Sequence, residues 1–276
     1  MSVAHGATPP PQGPRAPVGV FDSGLGGLSV LRAIRQRLPG EDLLYVADAA
    51  HVPYGALGPD RIRERAQVLT RFLAEQGAKA IVVACNTATA VAVTELRRTW
   101  SLPIIGMEPA IKPAVARTRS GVVGVLATEG TLASARFAGL LEQYAGSVRV
   151  VTQPCPGLVA AVESGAIDTA DTRMMLAEYL QPLLSAHADT VILGCTHYPF
   201  LTPLIREFTG PDVAIIDTGD AVARQLQRRL EGAGLCNPSA VTGRERFWTS
   251  GDCVAGGSTL TRLWGDAPEL VALRDL

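Results

Sequence analysis

Short apolar runs alternate along most of this chain with longer segments in which apolar residues recur every three or four positions. Val18-Gly19-Val20-Phe21 reads as a strand, and 28–38, with Leu28, Leu31, Ile34 and Leu38 on one face, as an amphipathic helix. A strand over 43–46, a helix over 62–76 stopped by Gly77, a strand over 80–84, a helix over 89–100 and a strand-like 103–105 continue the rhythm. Strands and helices alternating with short connections predict a parallel sheet covered on both faces.

The second half restarts the pattern. Val122-Val123-Gly124-Val125-Leu126-Ala127 echoes the first strand and runs into a polar, Gly-containing turn, Thr128-Glu129-Gly130-Thr131, with a helix expected from Ser134. Two segments match most closely: Ile81-Val82-Val83-Ala84-Cys85-Asn86-Thr87 and Val191-Ile192-Leu193-Gly194-Cys195-Thr196-His197. Each is a buried-strand pattern that delivers a cysteine at its carboxyl end, where open α/β sheets bind ligands. The cysteines stand 110 residues apart (85 and 195) and the two first strands about as far, so the halves form an architectural repeat of low identity. Recurring strands alone are common in long α/β proteins; the paired cysteines favour function over packing. After Asp217 the pattern predicts a helix over 221–230. A tail with Phe247-Trp248-Thr249-Ser250-Gly251-Asp252, too short for a domain, is expected to pack back on the first half.

Composition narrows the classes. The 276 residues suffice for one large or two modest domains, and a net charge of -1 with dispersed arginines offers no nucleic-acid surface. The arginines over 61–71 read as a solvated helix face. Residues 1–17 are rich in Pro, Gly and Ala and lack an apolar signal core, which predicts a disordered tail. No run approaches the roughly 18 apolar residues of a membrane span. Five cysteines without a C-x-x-C pair argue against a disulfide scaffold or zinc ribbon, and point to reduced thiols in a cytoplasm.

Asp22-Ser23-Gly24-Leu25-Gly26-Gly27 joins a strand to a helix, where glycines and free N–H groups favour an anion. It departs from the dinucleotide fingerprint, because Ser29 stands in place of the third glycine. Pro53-Tyr54-Gly55 forms a second turn after Asp48, with Tyr54 read on its own as a packing residue. Among the histidines, His51 and His187 read as surface or loop residues, whereas His197 sits two residues from Cys195. A free thiol with a pKa of about 8.5 is only a few per cent ionised at neutral pH. Reaching the thiolate costs about 2 kcal/mol, which a neighbouring imidazolium or helix N-terminus can supply. Cys155, Cys236 and Cys253 lack such neighbours and are expected to be small buried hydrophobes.

Taken together, Phe21 to Leu28, Pro53-Tyr54-Gly55, Ala84-Cys85-Asn86-Thr87-Ala88, Pro156-Gly157-Leu158-Val159 through Glu163, and Gly194-Cys195-Thr196-His197-Tyr198-Pro199 resemble the cofactor-independent glutamate racemases of the aspartate/glutamate racemase superfamily. The resemblance runs from Val18 to about Trp264, and Asn-Thr after the first cysteine with Thr-His-Tyr-Pro after the second matches the glutamate branch. It implies two similar parallel-sheet α/β domains related by pseudo-symmetry, with the active site in the cleft between them. The first domain would be discontinuous, 18–112 plus 222–276, and the second would span 113–221.

The resemblance also implies Cys85 and Cys195 as two bases on opposite faces of the substrate α-carbon. Asp22 would assist Cys85, His197 would assist Cys195, and Glu163 would support the second side. Asp22, Ser23, Tyr54, Gly55, Asn86, Thr87, Thr196 and His197 would hold L- or D-glutamate, with no cofactor and no metal. A homodimer, no nucleic acid, no membrane, and supply of D-glutamate for peptidoglycan in a bacterial cytoplasm complete the implication. An aspartate or hydantoin racemase is the runner-up. A pyridoxal-phosphate racemase would need a cofactor lysine, and neither Lys79 nor Lys112 has that context. A gyrase-binding role, reported for some family members, has no marked surface in this chain.

Overall fold

A computed structural model describes residues 13–266 and 268–273. In chain order its elements are β1 (Val18–Asp22), α1 (Leu28–Arg37), β2 (Leu43–Ala47), α2 (Pro59–Glu75), β3 (Ala80–Val83), α3 (Asn86–Thr99), β4 (Ile104–Ile105) and α4 (Ile111–Arg117). There follow β5 (Val122–Ala127), α5 (Glu129–Leu132), α6 (Ala135–Tyr144), β6 (Arg149–Pro154), α7 (Leu158–Glu163), α8 (Ala170–Ser185), β7 (Thr190–Leu193), α9 (Thr202–Thr209) and β8 (Ala214–Ile216). The chain closes with α10 (Gly219–Gly232), β9 (Glu245–Thr249), α11 (Cys253–Trp264) and β10 (Leu270–Ala272).

Two parallel sheets result, ordered β10-β9-β2-β1-β3-β4 and β6-β5-β7-β8. The last four strands of the first sheet and all four of the second follow the same order, and the cysteines sit after corresponding strands, β3 and β7. Alternate residues of each strand enter different cores, as a two-residue period requires. Val18 and Val20 of β1, Ala80 and Val82 of β3, and Val191 and Leu193 of β7 share one core that runs through both halves, with α1, α8 and α10 packed on it. Phe21, Ile81 and Val83 face a second core under α2 and α3, while Val123, Val125 and Ile192 face a third with α4 and α6. With both faces covered, the central strands β1, β3, β5 and β7 are mostly apolar.

The returning C-terminal segment joins the first sheet: β9 pairs in parallel with β2, and β10 with β9. Among the described residues no helix is long and apolar enough to cross a membrane, and no cluster of His, Cys, Asp or Glu gathers to hold a metal ion.

Several expectations need correction. The tail expected to be disordered lies outside the described residues over 1–12, but from 13 onward it is held: Lys79, buried and paired with Glu41 at 2.5 Å, also donates to the Pro14 carbonyl. Helix α3 begins at Asn86, earlier than the periodicity indicates, because the Cys85 sulfur caps it by accepting from Ala88 N at 3.4 Å. The Thr128–Thr131 segment is not merely a turn; it carries α5, capped by the Thr128 hydroxyl. Cys236 and Cys253 are half-exposed, and only Cys155 of the three is buried.

Candidate active site

At the carboxyl ends of β1, β3 and β7 the two halves face one another across a small cleft. It is lined by Ser23, Tyr54, Gly55, Asn86 and Thr87 from the first half, and by Thr128, Val159, Cys195, Thr196 and His197 from the second, with Cys85 on the first-half wall. Both thiols are nearly buried, at 5 % exposure for Cys85 and 7 % for Cys195. A larger open concavity around the start of β4, lined by Arg97, Trp100 and Arg229, contains neither thiol.

The two thiols have different surroundings. Burial pushes the Cys85 thiol well up, and the Asp22 carboxylate adds to that. Its capping bond to Ala88 N and its place at the start of α3 work the other way and favour a thiolate once one forms. Asp22 does not touch the sulfur directly. Its Oδ1 accepts from Ser23 N (2.7 Å) and the Ser23 hydroxyl (3.2 Å), and that hydroxyl lies 3.9 Å from Cys85 Sγ. Its Oδ2 accepts from Gly27 N (2.6 Å) and from the Thr196 hydroxyl across the cleft (3.2 Å). Burial still raises the Asp22 pKa, against the opposing pull of His197 and these donors.

On the other wall, Cys195 Sγ lies 3.6 Å from His197 Nδ1, and His197 Nε2 lies 2.6 Å from Glu163 Oε1. Burial pulls the imidazolium down, but the bonds to Cys195 and Glu163 outweigh it and hold His197 well above its ordinary pKa. A cationic imidazole beside a thiol stabilises the thiolate. Glu163 Oε1 also accepts from Leu25 N (2.6 Å), so the anion on the glycine-rich loop is the protein's own carboxylate. The glycines answer to the same packing. A Cβ on Gly24 would strike the Glu163 carboxylate, and one on Gly26 would strike the His197 ring.

Asn86 is nearly buried, and both atoms of its amide lack a partner while facing this cleft. An unsatisfied buried amide costs about 1–3 kcal/mol, which a bound polar ligand removes. Beside it, the Thr87 hydroxyl meets those of Thr128 (3.0 Å) and Thr131 (3.2 Å), a cluster of neutral donors contributed by both halves.

The Asp/Glu/hydantoin racemase model matches residues 18–226. The chain belongs to this racemase family. A glutamate racemase of Stutzerimonas stutzeri (strain A1501) is 59% identical over 252 residues, covering 91% of this chain and 95% of that protein. Among solved structures, a glutamate racemase isoform of Bacillus anthracis aligns with a TM-score of 0.86 at 33% identity, covering 95% of this chain and 98% of that one. The glutamate racemase of Francisella tularensis in complex with D-glutamate aligns with a TM-score of 0.81 at 28% identity, covering 94% and 98%.

In this racemase the structure brings Cys85, Cys195, Ser23, Tyr54, Gly55, Asn86, Thr87, Thr196 and His197 to one cleft. Asp22 and Glu163 stand behind it, each reaching a wall residue through hydrogen bonds. Sequence reasoning missed Thr128 and Val159 as lining residues. The repeat held a signal for Thr128, which opens the turn that corresponds in the second half to Asp22–Gly27 in the first.

It also missed the support behind Tyr54. The Tyr54 hydroxyl is spent on Asp48 Oδ2 at 2.6 Å, leaving the backbone of the turn as its polar face toward the cleft. Asp48 further accepts two bonds from Arg65, both 2.9 Å, one from Ser250 Oγ (2.8 Å), and a contact from His51 Nδ1 (3.2 Å). Arg65 is therefore buried and paired, contrary to the solvated face expected of 61–71, and His51 belongs to the same network. Burial raises the Asp48 carboxyl, but the donors prevail and hold it below its usual range. That depressed pKa contributes stability above the unfolded carboxylate value, about 3.9, lost as pH falls through the folded value. Asp48→Asn removes one partner of a buried pair, and about 3 kcal/mol of stability should be lost. Denaturant unfolding at neutral pH measures this, and a loss below about 1 kcal/mol would contradict the assignment.

Proposed function

We propose that this racemase interconverts L- and D-glutamate with Cys85 and Cys195 as the two acid–base groups. The observation that carries the reading is a single cleft holding two nearly buried thiols from equivalent strand ends, beside an Asn86 amide without a partner. Similarity to glutamate racemases over nearly the whole chain, and the D-glutamate named for the Francisella tularensis structure, support the choice of substrate.

One thiolate removes the α-proton, leaving the electron pair on Cα and its carboxylate. The opposite thiol then delivers its own proton to the other face. The enzyme returns with the thiol and thiolate exchanged, so protons balance over a turnover. Hydroxyls of Ser23, Thr87, Thr128 and Thr196, the Asn86 amide and the backbone of Tyr54-Gly55 hold the two carboxylates. Neutral donors suit this task, since they bind anions without competing for the α-proton. Preorganised at the α-carboxylate, where charge grows, they lower the barrier further. Asp22 acts on Cys85 through the Ser23 hydroxyl, and the Glu163–His197 pair holds an imidazole against Cys195. No cofactor takes part. The domain limits 18–112 plus 222–276 and 113–221 belong to this reading, as does supply of D-glutamate for peptidoglycan.

Racemisation of L-glutamate in deuterated water tests it. Product D-glutamate should carry one deuterium at Cα from the first turnovers, because the delivered proton comes from the solvent-exchanged opposite thiol. Product that keeps the original hydrogen means a single recycling base. Preferential turnover of L-aspartate in a parallel assay would move the substrate to the runner-up class.

A further inference from the structure

We propose that Ser29 is a positioning residue that fixes the Cys195-bearing segment against the first half of the molecule, an inference resting on the two-thiol reading above. Ser29 lies in the first turn of α1, half-buried, and does not line the cleft. It is the residue that breaks the dinucleotide pattern, where a glycine would have carried no hydroxyl. Its Oγ lies 2.9 Å from the Gly26 carbonyl and 2.8 Å from the Thr196 carbonyl of the other half. One proton cannot be fully donated to both acceptors. The Gly26 bond is local to the helix terminus and is available whatever the second half does, so the bond to Thr196 is an addition the helix does not require.

The Thr196 carbonyl belongs to the peptide that joins Thr196 to His197, one residue on from Cys195, so holding it bears on the placement of both side chains. A second tie reaches the same residue, from the Thr196 hydroxyl to Asp22 Oδ2 at 3.2 Å. That hydroxyl faces the cleft and is among the donors offered to substrate, so the tie is given up when a carboxylate takes it. The Ser29 bond lies outside the cleft and is kept. With the Thr196 hydroxyl on substrate, the Ser29 bond still ties the segment to the first half, and without it the segment is free to pivot. A pivot at Thr196 moves Cys195 Sγ relative to Cα, and proton transfer demands reacting atoms within about 3–3.5 Å.

Ser29→Ala and Ser29→Thr, compared with the wild type in both directions and with α-deuterated L- and D-glutamate, test the proposal. The alanine variant should lose about three- to tenfold in kcat/KM, the equivalent of one neutral hydrogen bond. The loss must be equal for both enantiomers, since the equilibrium constant is one. Its melting temperature should stay near that of the wild type, and the threonine variant should recover activity. The isotope effect should rise in the direction where Cys195 takes the labelled proton, because that step becomes more rate-limiting, and fall in the other. Unchanged kinetics and isotope effects overturn the proposal. So does an activity loss that tracks a lowered melting temperature and is not rescued by threonine. Failure of the two-thiol reading shows separately, as full turnover by Cys195→Ala.

Discussion

Cys85→Ala and Cys195→Ala are each expected to abolish racemisation while leaving the fold in place. Each substitution deletes one small buried atom, and neither sulfur makes a bond the sheets depend on: Cys85 accepts from Ala88 N, and Cys195 meets His197. The stability cost should stay near 1 kcal/mol, within the range for one lost buried group. The catalytic cost is far larger. General acid–base catalysis contributes about 10²–10⁴-fold, and a missing thiol removes either the group that takes the α-proton or the one that returns it. A loss of at least about 10³-fold in kcat is expected in both directions.

The single variants also separate the two roles. A remaining thiol still faces one side of Cα, so any exchange of the α-proton with solvent deuterium that each variant retains should be confined to one enantiomer and proceed without inversion, and the two variants should select opposite enantiomers. Near-native turnover by either variant, measured by polarimetry or a coupled D-glutamate assay, would dismiss the two-base assignment.

The parts of this molecule legible in the chain are those whose pattern is set by burial on both sides. Strands β1, β2, β3, β5 and β7 are mostly apolar runs because each lies inside a covered sheet, with the polar exceptions, Asp22 and Thr190, at strand ends, and both cysteines follow such runs. Elements with weaker periodicity escaped. Strand β6 is partly exposed throughout, α8 carries Pro182, and α11 carries Gly256 and Gly257, which dilute the helical signal. The start of α3 escaped because a cysteine, outside the usual set of capping residues, serves as its cap.

At the site, residues next to the thiols in the chain were legible, while those delivered by folding were not. Glu163 reaches His197 across 34 residues and Leu25 across 138, and its place came from the family resemblance rather than from spacing. Arg65 looked like one more cation on a helix of arginines. Only the arrival of Asp48, just after β2, and Ser250 from the C-terminal segment turns it inward. The glycine-rich loop was read correctly as a place of close approach but for a different anion. The group that approaches is the Glu163–His197 pair of the other half.

That last point yields the second large effect. Gly26→Ala should lower kcat/KM by about 10²-fold or more and lower the melting temperature as well. An added methyl would sit within 2.5 Å of Cε1 and Cγ of His197, closer than any real contact allows. The ring has nowhere to go. His197 is 1 % exposed, its Nε2 is bound to Glu163 at 2.6 Å, and its Nδ1 faces Cys195 at 3.6 Å. Relief requires either that the ring turn away, which breaks its contacts with Glu163 and Cys195, or that the halves part, which separates the thiols. Overpacking of this kind costs about 1–3 kcal/mol, and either route also disturbs the proton-transfer geometry. Gly139→Ala supplies the contrast. Gly139 lies exposed within α6 with nothing within 4 Å of an added methyl, and alanine there should leave turnover intact and add about 0.5–1 kcal/mol of stability. If Gly26→Ala instead matched Gly139→Ala in both activity and melting temperature, His197 would not be the fixed partner of Cys195, and the asymmetry between the two thiols would need another source.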